Sequence, residues 1–223
     1  MKQDICTIPV SEVFEPKDGC PLCRLQTMLE ERMVDYITGA AMMEPDVRED
    51  TNRTGFCYRH FSMMAKRRKR LSVALILQSH LAEVERSEFG SRIPKEDDCF
   101  VCREIEWGMS HMLVTIFKMY EEEVEFRELF AGQTGLCRLH RRRLLADGRR
   151  KLSRKRYGKF SRECDGLCEK SLREIRQEID RFCHMFDYRS RGSDEDFASC
   201  RDSIERAVEW LTTHLPEGSE AEK

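Results

Sequence analysis

The sequence predicts an all-α protein made of two similar helical units, each with a long, a short and a second long helix. Each unit is expected to be clamped by a metal site, and closing helices follow at the C-terminal end. Three observations lead to this prediction. Apolar residues recur at steps of three and four, which places them on one face of a helix. No segment alternates convincingly with the period of a strand, and two Cys/His motifs each occur twice.

The predicted helices follow the apolar pattern along the chain. The first three patterns stop near Pro45, Gly90 and Gly132, and proline and glycine are typical helix terminators. The five apolar runs cover residues 22–40, 73–84, 105–124, 172–186 and 197–211.

Two short motifs define the repeat. "DGCPLC" at 18–23 corresponds to "DDCFVC" at 97–102, and "TGFCYRH" at 54–60 corresponds to "TGLCRLH" at 134–140. In each unit C-x-x-C opens a long helix and C-x-x-H opens the short one. The predicted segments, which are expected to pack as one domain, are a first unit at 1–92, a second at 93–162, closing helices at 163–215 and a disordered tail at 216–223.

Composition favours metal ligation over disulfide bonding. The chain has 11 cysteines in 223 residues, and its first residues, "MKQDICTIPV", show no secretory signal. Its apolar stretches are too short to span a bilayer, so a cytoplasmic protein without membrane contact is predicted. Charged residues make up 36% while the formal net charge is −2, which indicates highly charged helix faces without an overall bias.

The duplicated motifs predict two zinc ions per chain. Zinc favours four tetrahedral N/S ligands, and residues three apart on a helix reach one ion together. One site is predicted within each repeat. Gly55 and Gly135 are expected to let the backbone turn sharply into the C-x-x-H helices. Because protein side chains fill all four positions, a structural role is expected. The two ligand sets are Cys20, Cys23, Cys57 and His60, and then Cys99, Cys102, Cys137 and His140.

Several stretches together resemble a known family. "ICTIPVSEVFE", "CPLC", "MMEPDVR", "GFCYRHF", "LILQSHL" and "MFDYR" look like an uncharacterised bacterial family of cytoplasmic proteins with paired CPxC and GFCxxHF motifs, a domain of unknown function. The resemblance extends over nearly the whole chain. It implies that the Cys/His sets are family features, and it implies no activity or substrate.

Other candidate sites have weaker patterns. Cys164, Cys168 and Cys183 with His184 lack a metal-ligand spacing, so core cysteines are expected there. His80 and Glu83 share a helix face, and a structural histidine is the commoner case. No catalytic motif such as H-E-x-x-H, G-x-S-x-G or a P-loop occurs, so the protein is predicted not to be an enzyme.

Three functions remain open at this stage. The favoured one is a zinc-binding helical module for protein interaction or regulation, with an unidentified protein partner. The alternative is sequence-independent nucleic-acid binding through the basic segments 66–70 and 138–162, the second of which has twelve Lys/Arg and one acid. The third is a thiol-redox protein using the C-x-x-C pairs. The sequence predicts no oligomeric state.

Overall fold

The computed structural model describes residues 7–88, 99–185 and 200–214. All regular secondary structure in these ranges is helical, which confirms the all-α class. The predicted boundary at 92/93, the start of the last run at Phe197 and the tail at 216–223 lie outside the described residues. The helices are α1 (Thr7–Phe14), α2 (Pro21–Ile37), a 3-10 turn (Ala40–Met43), α3 (Pro45–Thr54), α4 (Tyr58–Lys66), α5 (Arg70–Glu88), α6 (Phe100–Glu122), α7 (Val124–Ala131), α8 (Arg138–Lys151), α9 (Arg154–Met185) and α10 (Ser203–Thr212).

Local chemistry explains where helices begin. Proline is favoured in the first turn because its missing N–H has no helical partner there. Both α2 and α3 begin with proline, and Asp46 adds an acidic side chain to the first turn of α3. Helix α3 was not predicted, because "PDVREDTNRT" contains a single large apolar residue, Val47. The Pro45–Asp46 pair was the available signal.

Two predicted boundaries differ from the structure. The apolar run after Ile105 was expected to end near Gly132, but α6 ends at Glu122 and α7 begins at Val124. Glu123 between them has an extended backbone (φ −104°, ψ 126°), which interrupts the helix. Helix α9 extends over 32 residues and therefore passes through the predicted boundary at 162/163.

The chain forms two compact units. The discontinuous unit comprises Met1–Leu25 and Met112–Lys223, and the inserted unit comprises Gln26–His111. These limits fall within α2 and α6, and they differ from the segments at 1–92 and 93–162 that the sequence repeat defines. Among the described residues, no helix has the length and apolar character needed to cross a lipid bilayer.

Aromatic side chains form the core of the discontinuous unit. The Tyr120 and Phe160 rings lie 4.8 Å apart, and Phe130 is 5.1 Å from Phe160. Phe14 of α1 joins this cluster at 5.7 Å from Phe130. Edge-to-face and tilted arrangements of this kind are favourable for aromatic rings. They fix α1, α6, α7 and α9 around one core.

The inserted unit has its own apolar core, which includes one cysteine of its metal motifs. Val34 and Ile37 of α2 pack with Met64 of α4 and Ile76 of α5 in one cluster, which also includes Cys99. Helix α3 packs along α5. The C-x-x-H and C-x-x-C motifs of this unit therefore start helices that share a buried core.

Candidate metal centres

Site A lies in the discontinuous unit and consists of Cys20, Cys23, Cys137 and His140. His140 Nδ1 is 3.7 Å from Cys20 Sγ, 3.4 Å from Cys23 Sγ and 3.2 Å from Cys137 Sγ. Cys137 caps α8, and its sulfur accepts the backbone N–H of His140. Cys20 is half-buried, while the other three residues are buried.

Site B lies in the inserted unit and consists of Cys57, His60, Cys99 and Cys102. His60 Nδ1 is 3.2 Å from the sulfurs of both Cys57 and Cys99, and 3.5 Å from Cys102 Sγ. Cys57 occupies the N-cap of α4. Site B is more open than site A, because Cys102 is exposed and Cys57 is half-buried.

Both arrangements fit a tetrahedral metal ion. The four ligand atoms of each site lie within 4.8 Å of one another. Ligands of a tetrahedral zinc, at about 2.0–2.3 Å from the ion, are about 3.4–3.8 Å apart. The nitrogen–sulfur distances of 3.2–3.7 Å agree with that spacing. The three thiols and one imidazole nitrogen of each site are ligand types that zinc prefers.

The prediction of one site within each repeat was wrong. Each site joins the C-x-x-C of one repeat to the C-x-x-H of the other. Hydrogen bonds between the motif loops follow the same exchange. Gly19 N–H donates to Thr134 Oγ1 at 2.9 Å beside site A, and Phe100 N–H donates to the Gly55 carbonyl at 3.1 Å beside site B. Both pairings produce the same Cys3His set, so motif spacing alone did not distinguish them.

Glu30 holds His60 of site B through the ring nitrogen that does not face the sulfurs. His60 Nε2 donates to Glu30 Oε1 at 3.0 Å, which leaves Nδ1 directed at the three sulfurs. Arg59 binds the same carboxylate through two hydrogen bonds of 2.7 Å each. Carboxylates behind a metal-bound histidine fix its tautomer and ring orientation. Glu30 was not predicted from the sequence, because its position seven residues after Cys23 belongs to no recognisable motif.

Site A has different residues at the corresponding motif positions. Met109, seven residues after Cys102, corresponds to Glu30, and Leu139 corresponds to Arg59. Neither side chain has a carboxylate or a guanidinium group. The two sites therefore share their ligand types and differ in the charged residues that accompany the motifs.

Electrostatics at site B favour a thiolate at Cys99 and a positive charge beside it, while burial and the neighbouring cysteines raise the pKa of Cys102. Burial, the largest single influence, raises the pKa of the Cys99 thiol, but the hydrogen bond with His60, two backbone hydrogen bonds and the charge of His60 together lower it to about 6. Burial would lower the pKa of His60, yet hydrogen bonds with Cys99 and then Glu30 raise it to about 10. Burial likewise acts against ionisation of Glu30, but Arg59 and His60 lower its pKa to about 2. Positive charge is thus stabilised at the centre of the cysteines, where a metal cation would bind.

The two motif glycines serve different purposes. Gly55 has φ +68°, which favours glycine, and a Cβ there would lie 2.7 Å from His80 Cε1. Gly135 does not have a positive φ, so its backbone conformation does not require a glycine. Its Cβ would instead lie 2.1 Å from Ser171 Oγ. Ser171 accepts the Leu136 N–H at 3.1 Å, so Gly135 provides the space for this contact beside Cys137.

The other candidates do not join a metal cluster in the described part of the chain. Cys164 and Cys168 are buried on α9, as expected for core cysteines, whereas Cys183 is exposed. His80 Nδ1 donates to the Asn52 carbonyl at 3.0 Å, in agreement with a structural histidine. Glu83 pairs with Arg86 at 2.8 Å.

The fold and the two clusters define an all-helical protein with two candidate Cys3His metal sites. The chain belongs to the family of unknown function DUF6062, whose family model matches residues 1–93 and 87–218. The two matches cover almost the whole chain and support the resemblance to an uncharacterised domain family. No curated protein and no solved structure matches the chain.

Proposed function

We propose that sites A and B each bind one zinc ion and that the protein is a zinc-stabilised helical module that acts by binding another protein. The two groups of three sulfurs around an imidazole Nδ1 carry this proposal. All four positions of each site are filled by protein side chains, whereas a catalytic zinc keeps one position for water. The ions therefore stabilise the helix starts that they join, and folding is coupled to their binding.

The zinc assignment is tested by elemental analysis with a matched pair of exposed cysteines. The unaltered protein is expected to contain two zinc ions per chain. Cys102→Ser removes a ligand of site B and should reduce the content to about one, because a tetrahedral structural site needs its four ligands. Cys183→Ser changes another exposed cysteine, which lies outside both sites, and should leave two zinc ions. Iron–sulfur absorbance, or a folded protein without metal, would contradict the assignment.

Exposed aromatic residues of the inserted unit support a protein partner. Tyr58 is 79% exposed and Trp107 is 62% exposed. Tyrosine and tryptophan are enriched at protein interfaces, where they bury much apolar area. A photo-crosslinking residue at position 58 or 107 should capture one defined protein in cells, and the same residue at the exposed position 118 should not. Failure to capture a shared protein at 58 and 107 would remove this part of the proposal.

Nucleic-acid binding is a second candidate function, favoured by the exposed cations of segment 138–162. Arg141 pairs with Asp165 at 2.6 Å, and Arg143 lies 3.9 Å from Asp147. Neighbouring cations extend into solvent and are suited to phosphate contacts, whose affinity falls with salt. Two exposed cations pair with carboxylates, Arg150 with Asp147 and Lys159 with Glu163. The other exposed cations of segment 138–162 are Arg138, Arg142, Arg149, Lys151, Arg154, Lys155 and Arg162.

A charge-reversal pair tests this second function. Arg142→Glu with Lys155→Glu should abolish binding of labelled DNA or RNA at low salt, while Arg173→Glu with Arg176→Glu should leave it intact. The control pair lies on the exposed surface of α9 outside the segment. Unchanged zinc content would show that both variants are folded. Absence of binding by the unaltered protein at low salt would eliminate the candidate.

A further inference from the structure

A half-open pocket lies beside site A, within the discontinuous unit. Its volume is about 480 Å³, within the range of small-molecule sites. The pocket lies between the two motif loops, the middle of α9 and one face of α10. The cysteines of site A form part of its wall.

The charged residues of the pocket are mainly acidic. Asp18, Glu174, Asp202 and Glu209 face two cations, Lys17 and Arg206. Arg206 is already bound to Glu178 at 2.6 Å, and Asp18 pairs with Arg24.

Among the described residues, the carboxylates of Glu174, Asp202 and Glu209 form no ion pair. Lys17 is the one cation lining the pocket, within the described part of the chain, that also forms none. The thiolates of a Cys3His site outweigh the two positive charges of zinc and would add to this negative field. Electrostatic complementarity therefore favours a cationic ligand.

One aromatic side chain of the pocket is fixed in place. Trp210 Nε1 donates to the Leu136 carbonyl at 3.1 Å, which holds the indole between α10 and the loop that leads to Cys137. Tryptophan is the aromatic side chain that attracts cations most strongly through its ring face. The hydroxyl oxygens of the wall accept backbone N–H groups of the motif loops, Thr134 from Gly19 and Ser171 from Leu136.

We propose that this pocket binds an organic cation, an alkylammonium or guanidinium group, held by Glu174, Asp202 and Glu209 against Trp210. The group comes either from a free amine or from a lysine or arginine side chain of a protein partner. This inference goes beyond the proposed zinc-binding module, because it depends on the pocket's shape and charge and not on which metal occupies site A.

Trp210 provides the measurement. The chain has two tryptophans, and Trp107→Phe leaves Trp210 as the single tryptophan, which is excited selectively at a wavelength that tyrosine does not absorb. Putrescine and an uncharged-ended peptide, acetyl-Ala-Arg-Ala-amide, are titrated at constant ionic strength, and glutarate serves as the anionic comparison. Saturable change of Trp210 fluorescence with putrescine identifies a free amine as a source, and a response to the peptide alone identifies a side chain. Glutarate should give no saturable change.

Variants connect the signal to the pocket. Glu209→Gln and Glu174→Gln should each weaken binding at least fivefold, and Glu169→Gln, on the exposed surface of α9 outside the pocket, should leave it unchanged. Zinc content of each variant is measured alongside, so that loss of the metal site is distinguished from loss of the pocket. No response to either cation, tighter binding of glutarate, or equal weakening by all three substitutions would overturn the proposal.

Discussion

At the scale of single residues, Glu30 distinguishes site B from site A. Its carboxylate is 3% exposed and accepts hydrogen bonds from both His60 and Arg59. We expect Glu30→Gln to weaken zinc binding at site B about 10–100-fold, the usual cost of losing such a support. Chelator competition on the zinc-loaded protein should then show that one ion is released at a lower chelator concentration than in the unaltered protein, while the other is released at the same concentration.

Met109→Leu is the matched control for this experiment. Met109 occupies the motif position in the second repeat that corresponds to Glu30, and it is also buried. A volume-conserving apolar exchange costs little in a core, so both ions should be retained with unaltered affinity. Equal weakening of the two ions in Glu30→Gln would mean that the substitution acts through general stability, and no weakening would mean that His60 needs no support.

At the scale of secondary-structure elements, replacing two glycines by alanine is expected to change the free energy of unfolding in opposite directions. Gly166 lies inside α9, where an added Cβ meets nothing within 4 Å, while Gly55 ends α3 at positive φ beside His80. Gly166→Ala should raise the free energy of unfolding by about 0.5–1 kcal/mol, because alanine loses less backbone entropy in a helix. Gly55→Ala should lower it by about 1–3 kcal/mol, the range for a strained backbone. Denaturant unfolding of the zinc-loaded proteins measures both changes. A loss of stability in Gly166→Ala would contradict the open surroundings of that position.

The elements also show how far the sequence predicted the fold. Helices α2, α5 and α6 were predicted because their apolar residues recur at helical spacing, although Tyr36 and Leu81 of these runs are exposed. Helix α3 was missed because it packs on α5 with few large apolar side chains, and the extended backbone at Glu123 has no apolar signature. Local patterning therefore predicted elements with a strong apolar face, and it failed where a helix depends on its neighbours or on one backbone angle.

At the scale of the whole molecule, the exchange of motifs between the sites is directly testable. Cys23→Ser with Cys57→Ser removes one ligand from each site, so both zinc ions should be lost. Cys23→Ser with Cys137→Ser removes two ligands from site A, so one ion should remain in site B. Each variant loses two cysteines, which makes them matched controls for each other. Pairing within a repeat would give the reverse zinc counts by elemental analysis.

This exchange is also where prediction from sequence reached its limit. The eight candidate ligand residues were selected from local spacing, and the structure gathers all of them into two clusters. Which C-x-x-C meets which C-x-x-H depends on contacts between distant segments, such as Gly19 with Thr134. The local motifs of a single sequence carry no information about this long-range pairing.

The nested order of the sites has a consequence for synthesis on the ribosome. Cys57 and Cys102 are 45 positions apart, whereas Cys23 and His140 are 117 positions apart and enclose them. At usual translation rates, about ten seconds pass between the appearance of Cys23 and that of His140. Site B has all its ligands first, so under the proposed zinc binding the inserted unit would acquire its ion before His140 is synthesised to complete site A. During that interval the thiols of Cys20 and Cys23 would be available to oxidants and to competing metals, so under the proposed zinc binding the supply of free zinc during translation would influence how much protein matures.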